Sequence, residues 1–181
     1  PYSDFDIAVA SSMSPAGSKL AGRYGTGLLS IAATEPAAFQ VLDYNYGVWN
    51  EEAARHGNVA DRASWRLMGP MHVAETAEAA RENCRYGLQW VFDYLSHIIP
   101  VGDPSAPPPP SDYDDFVDWA NESGRMVIGT PDMAAAQLER LIDKTGGFGA
   151  YLFLGADLAR WEATKRSYEL FAEEVMPRFT G

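Results

Sequence analysis

Asp6-Ile7-Ala8-Val9-Ala10, running straight into Ser11-Ser12-Met13-Ser14-Pro15, is the stretch on which the fold turns. After Asp6 the run is continuously apolar rather than alternating. A half-solvated strand alternates, so a continuous run fits a strand covered on both faces, as in a parallel sheet. Small polar residues and a proline follow, then a short helix to about Tyr24 that stops at Gly25. The same unit recurs along the chain. Gly27–Ala32 leads to Thr34 as a helix cap with Pro36 in the first turn. Arg66–Val73, interrupted by Gly69-Pro70, leads to a long helix capped by Thr76 and reaching about Ile99. Ala150–Leu154 leads through Gly155-Ala156-Asp157 into a last helix. There Thr164, Tyr168, Phe171 and Val175 recur at helical spacing, and Pro177 marks the end.

Between the third and fourth runs, Asp103-Pro104-Ser105-Ala106 and Pro107–Pro110 exclude helix and inner strand and predict an extended surface linker. A short acidic helix over Asp112–Asn121 follows. Gly129-Thr130-Pro131-Asp132 then opens another helix, which stops at Gly146-Gly147. Four strand–helix units predict a parallel α/β fold with right-handed crossovers. Two architectures satisfy this: an open doubly wound sheet, or part of an eight-stranded barrel. A complete barrel takes about 250 residues, and 181 residues with four strands supply half of one.

The composition, 46% apolar and 12% aromatic, suits a single domain over residues 1–181, with 100–130 as an insertion or linker within it. No window approaches about eighteen consecutive apolar residues, so no transmembrane helix is expected. The 25 acidic residues outweigh 14 Lys and Arg, giving a net charge of −11 that disfavours nucleic acid as a partner. One cysteine, Cys84, cannot form an internal disulfide, and a cytoplasmic location is expected. Pro1 carries neither an initiator Met nor a basic leader, as in a processed chain or a piece of a longer one.

Several segments together resemble the luciferase-like flavin-dependent monooxygenases, the family of bacterial luciferase, alkane and limonene monooxygenases and deazaflavin-dependent relatives. They are Ile7–Pro15 with Leu20-Ala21-Gly22-Arg23-Tyr24-Gly25, Trp65-Arg66-Leu67 with His72-Val73-Ala74-Glu75-Thr76, and Val127-Ile128-Gly129-Thr130-Pro131-Asp132. The glycine-rich Gly146-Gly147-Phe148-Gly149 and the tail Arg166–Phe171 with Val175-Met176-Pro177 complete the set. The chain is most similar to limonene-monooxygenase-like members. The resemblance implies the C-terminal half, strands five to eight, of a (β/α)₈ TIM barrel, with the proline-rich insertion before the last strand. The first four strands, which carry part of the family's flavin and substrate pocket, have no counterpart here.

Ser11, Ser12, Met13 and Ser14 form the leading candidate site. They lie between the C-terminal end of a strand and the start of a helix, where free backbone N–H groups bind phosphate. The plainer reading is that the serines cap the helix. The resemblance implies that this turn holds a flavin phosphate. His72, near the end of the third run, is the candidate acid or base. No Asp or Cys beside it completes a triad, and a core or supporting histidine is the plainer reading. His56 and His97 read as surface residues, and the three histidines lack metal-ligand spacing, so no metal is expected. Gly22-Arg23-Tyr24-Gly25-Thr26-Gly27 follows a helix and precedes a strand, the reverse of a dinucleotide fingerprint, and reads as a helix stop. Trp90, Phe92, Tyr94 and Ile98-Ile99 read as helix packing, with an apolar substrate pocket as the alternative. The acidic run Asp112, Asp114, Asp115 and Asp118 reads as a solvated face.

The resemblance thus implies a monooxygenase using reduced FMN and O₂ on a small apolar substrate, with a flavin reductase as possible partner. The chain alone is expected to be inactive, and to pair with a missing N-terminal half-barrel or with itself. Two alternatives stand beside this: a deazaflavin-dependent oxidoreductase, and a non-catalytic flavin-binding or structural module. A cofactor that carries the redox chemistry fits the lack of an evident protein nucleophile.

Overall fold

The structure is a computed structural model in which residues 5–98 and 107–179 are described. Pro1, Ile99 and the Asp103–Ala106 part of the expected linker lie outside the described residues, as does the side chain of Ile98. The chain divides into two compact units, Pro1–Gly69 with Leu141–Phe153, and Pro70–Arg140 with Leu154–Gly181.

The first unit is built on a four-stranded sheet of β1 (Ala8–Ser11), β2 (Gly27–Ser30), β3 (Trp65–Gly69) and β6 (Ala150–Phe153). Every pairing is parallel, with Ala8 opposite Gly27, Leu28 opposite Trp65 and Arg66 opposite Ala150. Parallel strands need crossovers, which α1 (Ala16–Tyr24), α2 (Pro36–Gln40) and α3 (Leu42–Arg55) help to supply. The inner strands are sealed: Leu28, Trp65 and Leu67 have no exposed surface and join Ala21, Leu42, Trp49, Ala53 and Leu141 in one core. Tyr46 stacks on Trp65 with ring centres 5.1 Å apart, and Trp65 Nε1 donates to Ser30 Oγ at 3.1 Å. Strand β6 is only half covered.

In the second unit, β4 (Met71–Val73) and β5 (Val127–Gly129) form a parallel pair, with His72 opposite Ile128. Around it lie α4 (Ala77–Cys84), α5 (Leu88–Ile98), α6 (Tyr113–Glu122) and α8 (Trp161–Leu170). Cys84, Leu88, Phe116, Val117 and Ile128 fill the core. Asn121 locks onto β5 with both ends of its amide: Nδ2 donates to Ile128 O, and Oδ1 accepts from Ile128 N. Val73 N donates to the buried Ser167 Oγ of α8 at 2.7 Å.

The structure corrects several expectations. The run Arg66–Val73 is two strands in different sheets, because Pro70 has no N–H to continue the ladder. Val127–Gly129, just ahead of the helix opening expected at Gly129–Asp132, is a strand that the four expected strands did not include; α7 (Pro131–Thr145) follows, with the N–H of Met133 3.4 Å from Thr130 Oγ1. Thr34 does not cap α2. Glu35 takes that position, and Thr34 is buried, its side chain occupying the space over Gly69. The long helix from Thr76, which does cap α4 by accepting from Ala79 N, breaks at Arg85-Tyr86-Gly87.

Gly87 explains that break. Its N–H donates to Leu158 O, and a Cβ there would lie 1.9 Å from Asp157 O. The backbone of the 155–159 loop therefore needs a glycine beneath it. Gly87→Ala forces that loop away and is expected to cost about 3 kcal/mol by overpacking. A thermal melt checks this; an unchanged Tm would mean that the loop yields freely.

Other signals fall where the sequence put them. Gly25 ends α1 at φ 65°, while Gly146 and Gly147, at φ 71° and 106°, end α7. Asp112, expected as the first residue of the acidic helix, instead caps α6 (Tyr113–Glu122) by accepting from the N–H groups of Asp114 and Asp115. On the last helix Ser167, Leu170, Phe171 and Val175 are buried while Tyr168 is exposed, so the inward face is rotated from the expected one. A wider turn over Phe171–Val175 accompanies this shift.

Candidate functional site

Strand β1 ends at Ser11, and the chain turns through Ser12, Met13 and Ser14 into α1. Two of the three serine hydroxyls serve the turn itself. Ser11 Oγ donates to Ser14 O at 3.1 Å, and Ser14 Oγ accepts from Ala16 N at 3.3 Å. Ser11 is buried, Ser12 is half-buried, and Met13 is exposed. Among the described residues no hydrogen bond engages the Ser12 hydroxyl. The first-turn N–H groups of a helix have no partner within it, and Pro15 supplies no side-chain cap. No acidic residue sits in that turn to offset the positive end of the helix dipole. Gly17 lets α1 settle onto the strand end, since a Cβ there would lie 2.4 Å from Ala10 O. Ser14 Oγ takes the N–H of Ala16, which leaves the N–H groups of Gly17 and Ser18, the uncommitted Ser12 hydroxyl and an uncompensated dipole, and these suit an anion. The turn therefore fits a flavin phosphate.

Sequence reasoning missed Asn45. It lies on α3, is 1% exposed, and its Nδ2 donates to Ser12 O at 3.0 Å. Its Oδ1 is buried without a protein partner. A polar residue on the inward face of a helix was the available signal, but nothing in the spacing connects it with a turn 33 residues earlier. Asn45→Ala removes the tether, and a loss of about 1 kcal/mol in folding stability is expected, measured by chemical denaturation.

His72 lies in the other unit, on β4, and is 2% exposed. Its Nε2 is 3.2 Å from Asn83 Nδ2, so it accepts when the imidazole is neutral with the proton on Nδ1. Burial pushes its pKa down to about 4. At neutral pH the ring is an uncharged acceptor inside the fold. The folded-state value lies below the ordinary 6.5, so the unfolded chain binds the extra proton as pH falls between the two. Stability present above pH 6.5 is then lost towards pH 4, by about 3 kcal/mol. His72→Gln is expected to flatten the stability–pH curve in that window, as followed by urea titration at several pH values. An undiminished slope would show that other groups set it.

Cys84, buried in the core of the same unit, has its thiol pushed up to about 12 by desolvation, which makes it a packing residue rather than a nucleophile. His56 and His97 are exposed. Among the described residues no group of three or more His, Cys, Asp or Glu is arranged to hold a metal ion. Asp114 and Asp118 of the acidic run pair with Arg81 and Arg85.

The aromatic end of α5 divides. Phe92 packs edge-on against Phe116 and Trp119 in the core. Trp90 and Tyr94 stack on each other, 5.4 Å apart and nearly parallel, on the open side. There they line a cavity of about 580 Å³ that lies wholly within the second unit, with Tyr86, Trp161 and Tyr168 contributing further rings.

With this geometry in view, comparison with known proteins settles the family. A model described as luciferase-like monooxygenase matches residues 7–147. The chain belongs to the luciferase-like monooxygenase family. Limonene 1,2-monooxygenase of Rhodococcus erythropolis is 46% identical over 181 residues, covering all of this chain and 46% of that protein. The oxygenating constituent of 3,6-diketocamphane monooxygenase from Pseudomonas putida, solved in complex with FMN, superposes with a TM-score of 0.69. It has 22% identity, over 97% of this chain and 48% of that one. The coenzyme F420-dependent tetrahydromethanopterin reductase of Methanopyrus kandleri gives a TM-score of 0.62 and 15% identity, over 98% of this chain and 52% of that one. The two solved structures show that the fold is the luciferase-like α/β fold. The chain spans about half the length of the curated relatives it matches. No helix among the described residues is long and apolar enough to cross a membrane.

Proposed function

We propose that the chain is the C-terminal part, strands five to eight of the barrel, of a flavin-dependent monooxygenase that oxidises a small apolar substrate with O₂. The observation that carries this is the 46% identity to limonene 1,2-monooxygenase along the whole chain. The four-stranded parallel sheet and the anion-ready turn at its first strand support it. In this reading Ser12 Oγ and the N–H groups of Gly17 and Ser18 in the first turn of α1 hold the flavin phosphate. Ser11 and Ser14 shape the turn, and Asn45 fixes its carbonyl side. Bound reduced flavin supplies the oxygen activation, while this chain binds and orients it. His72 is proposed as a packing residue behind β4, its neutral ring exchanging no proton with the substrate.

The likeness to a coenzyme F420-dependent structure favours one second reading, a deazaflavin enzyme transferring hydride without oxygen. Reconstitution separates the two. The protein completed with an N-terminal half is titrated with FMN and with F420, and oxygen uptake is measured with a cyclic terpene. FMN binding with substrate-dependent oxygen uptake is expected. Tight F420 binding without oxygen uptake would establish the second reading, and binding of neither would overturn both.

A further inference from the structure

The cavity in the second unit has a chemistry of its own. Its wall carries five aromatic rings, Tyr86, Trp90, Tyr94, Trp161 and Tyr168, and among the described residues Asp157 is the only carboxylate or cationic side chain lining it. Trp90 is 66% exposed and Trp161 68%, so their ring surfaces are open to a guest. Among the described residues no ion pair engages Asp157. Arg160 already shows what the ring cluster attracts: its guanidinium stands 4.9 Å over the Tyr86 ring.

Aromatic faces present negative potential, and a cation over them within about 6 Å is held electrostatically, more strongly as water is excluded. A lone carboxylate beside several such faces adds attraction of the same sign, and the −11 net charge of the chain does not oppose it. A carboxylate-bearing guest meets repulsion from both. At about 580 Å³ the cavity is within the range of small-molecule sites. We propose that this cavity binds a ring-bearing organic cation, its ammonium group near Asp157 and its ring against the Trp90–Tyr94 pair. The inference goes beyond the monooxygenase reading and does not rest on it, because binding here needs neither flavin nor oxygen.

Calorimetric titration of the chain with three matched probes tests this: benzyltrimethylammonium, its neutral isostere neopentylbenzene, and the anion phenylacetate. The cation is expected to bind about tenfold more tightly than the neutral isostere, with the anion weakest. Asp157→Asn, on an exposed loop, should remove most of the preference for the cation while leaving the neutral probe unchanged. Trp90→Ala should weaken both probes. A neutral probe that binds as well as the cation, or a preference that survives Asp157→Asn, overturns the proposal. So does the absence of binding by any probe to protein whose circular dichroism shows it folded.

Discussion

Ser12→Asp is expected to abolish flavin binding in the completed enzyme while leaving the fold intact. The half-buried Ser12 side chain sits at the turn between β1 and the start of α1, so a carboxylate fits there without displacing a core group. What it would displace, on the proposed reading, is the flavin phosphate. Two like charges about 4 Å apart repel by roughly 4 kcal/mol near a protein surface, enough for a hundredfold or greater loss of affinity. The new carboxylate would also accept from the first-turn N–H groups, filling the site from within. Ser12→Ala removes a single hydrogen bond and should weaken binding only about tenfold. Visible absorbance during an FMN titration reads both variants. Unchanged affinity in Ser12→Asp would place the phosphate elsewhere, and the turn would then be a helix start and nothing more.

The parts of this turn legible in the sequence were those set by neighbours in the chain. Apolar continuity gave β1, and Gly25 stopped α1 because only glycine enters that φ region without strain. Thr76 and Thr130 announced helix starts, since capping hydrogen bonds span two or three residues. The features that escaped depend on groups far apart in sequence. Asn45 holds Ser12 across 33 positions, and Gly87 breaks a helix because of a carbonyl 70 residues later. The splitting of the Trp90–Tyr94 pair from Phe92 was hidden for a related reason. Helical spacing puts 90 and 94 on one face and 92 on another, but it does not say which face meets Phe116. Resemblance in several segments carried the family. Spacing alone left the barrel and the open sheet equally available.

The same sheet yields the second large effect. Its order places β1 and β6 at the two edges, each with a row of backbone N–H and C=O groups that no strand of this sheet pairs. Apolar side chains at these edges are exposed, as the proposed half-barrel requires. Inner strands β2 and β3 carry Leu28, Trp65 and Leu67 with no exposed surface, while on β6 Leu152 is 36% exposed. Ahead of β1, Phe5 and Ile7 are 83% and 57% exposed. Apolar runs of this kind are written for strands covered on both faces. Net charge of −11 slows association but supplies no hydrogen bonds to an open edge. The chain by itself is therefore expected to turn over no substrate and to associate at micromolar concentration, through its strand edges or with a supplied N-terminal half. Adding that half as a separate polypeptide should convert the mixture to a single one-to-one species and bring flavin binding with it. Sedimentation velocity, before and after mixing, measures the first result, and visible absorbance of the isolated complex measures the second. A stable monomer that ignores the added half would mean that four strands suffice, and the sheet would then be the open, doubly wound alternative rather than half of a barrel.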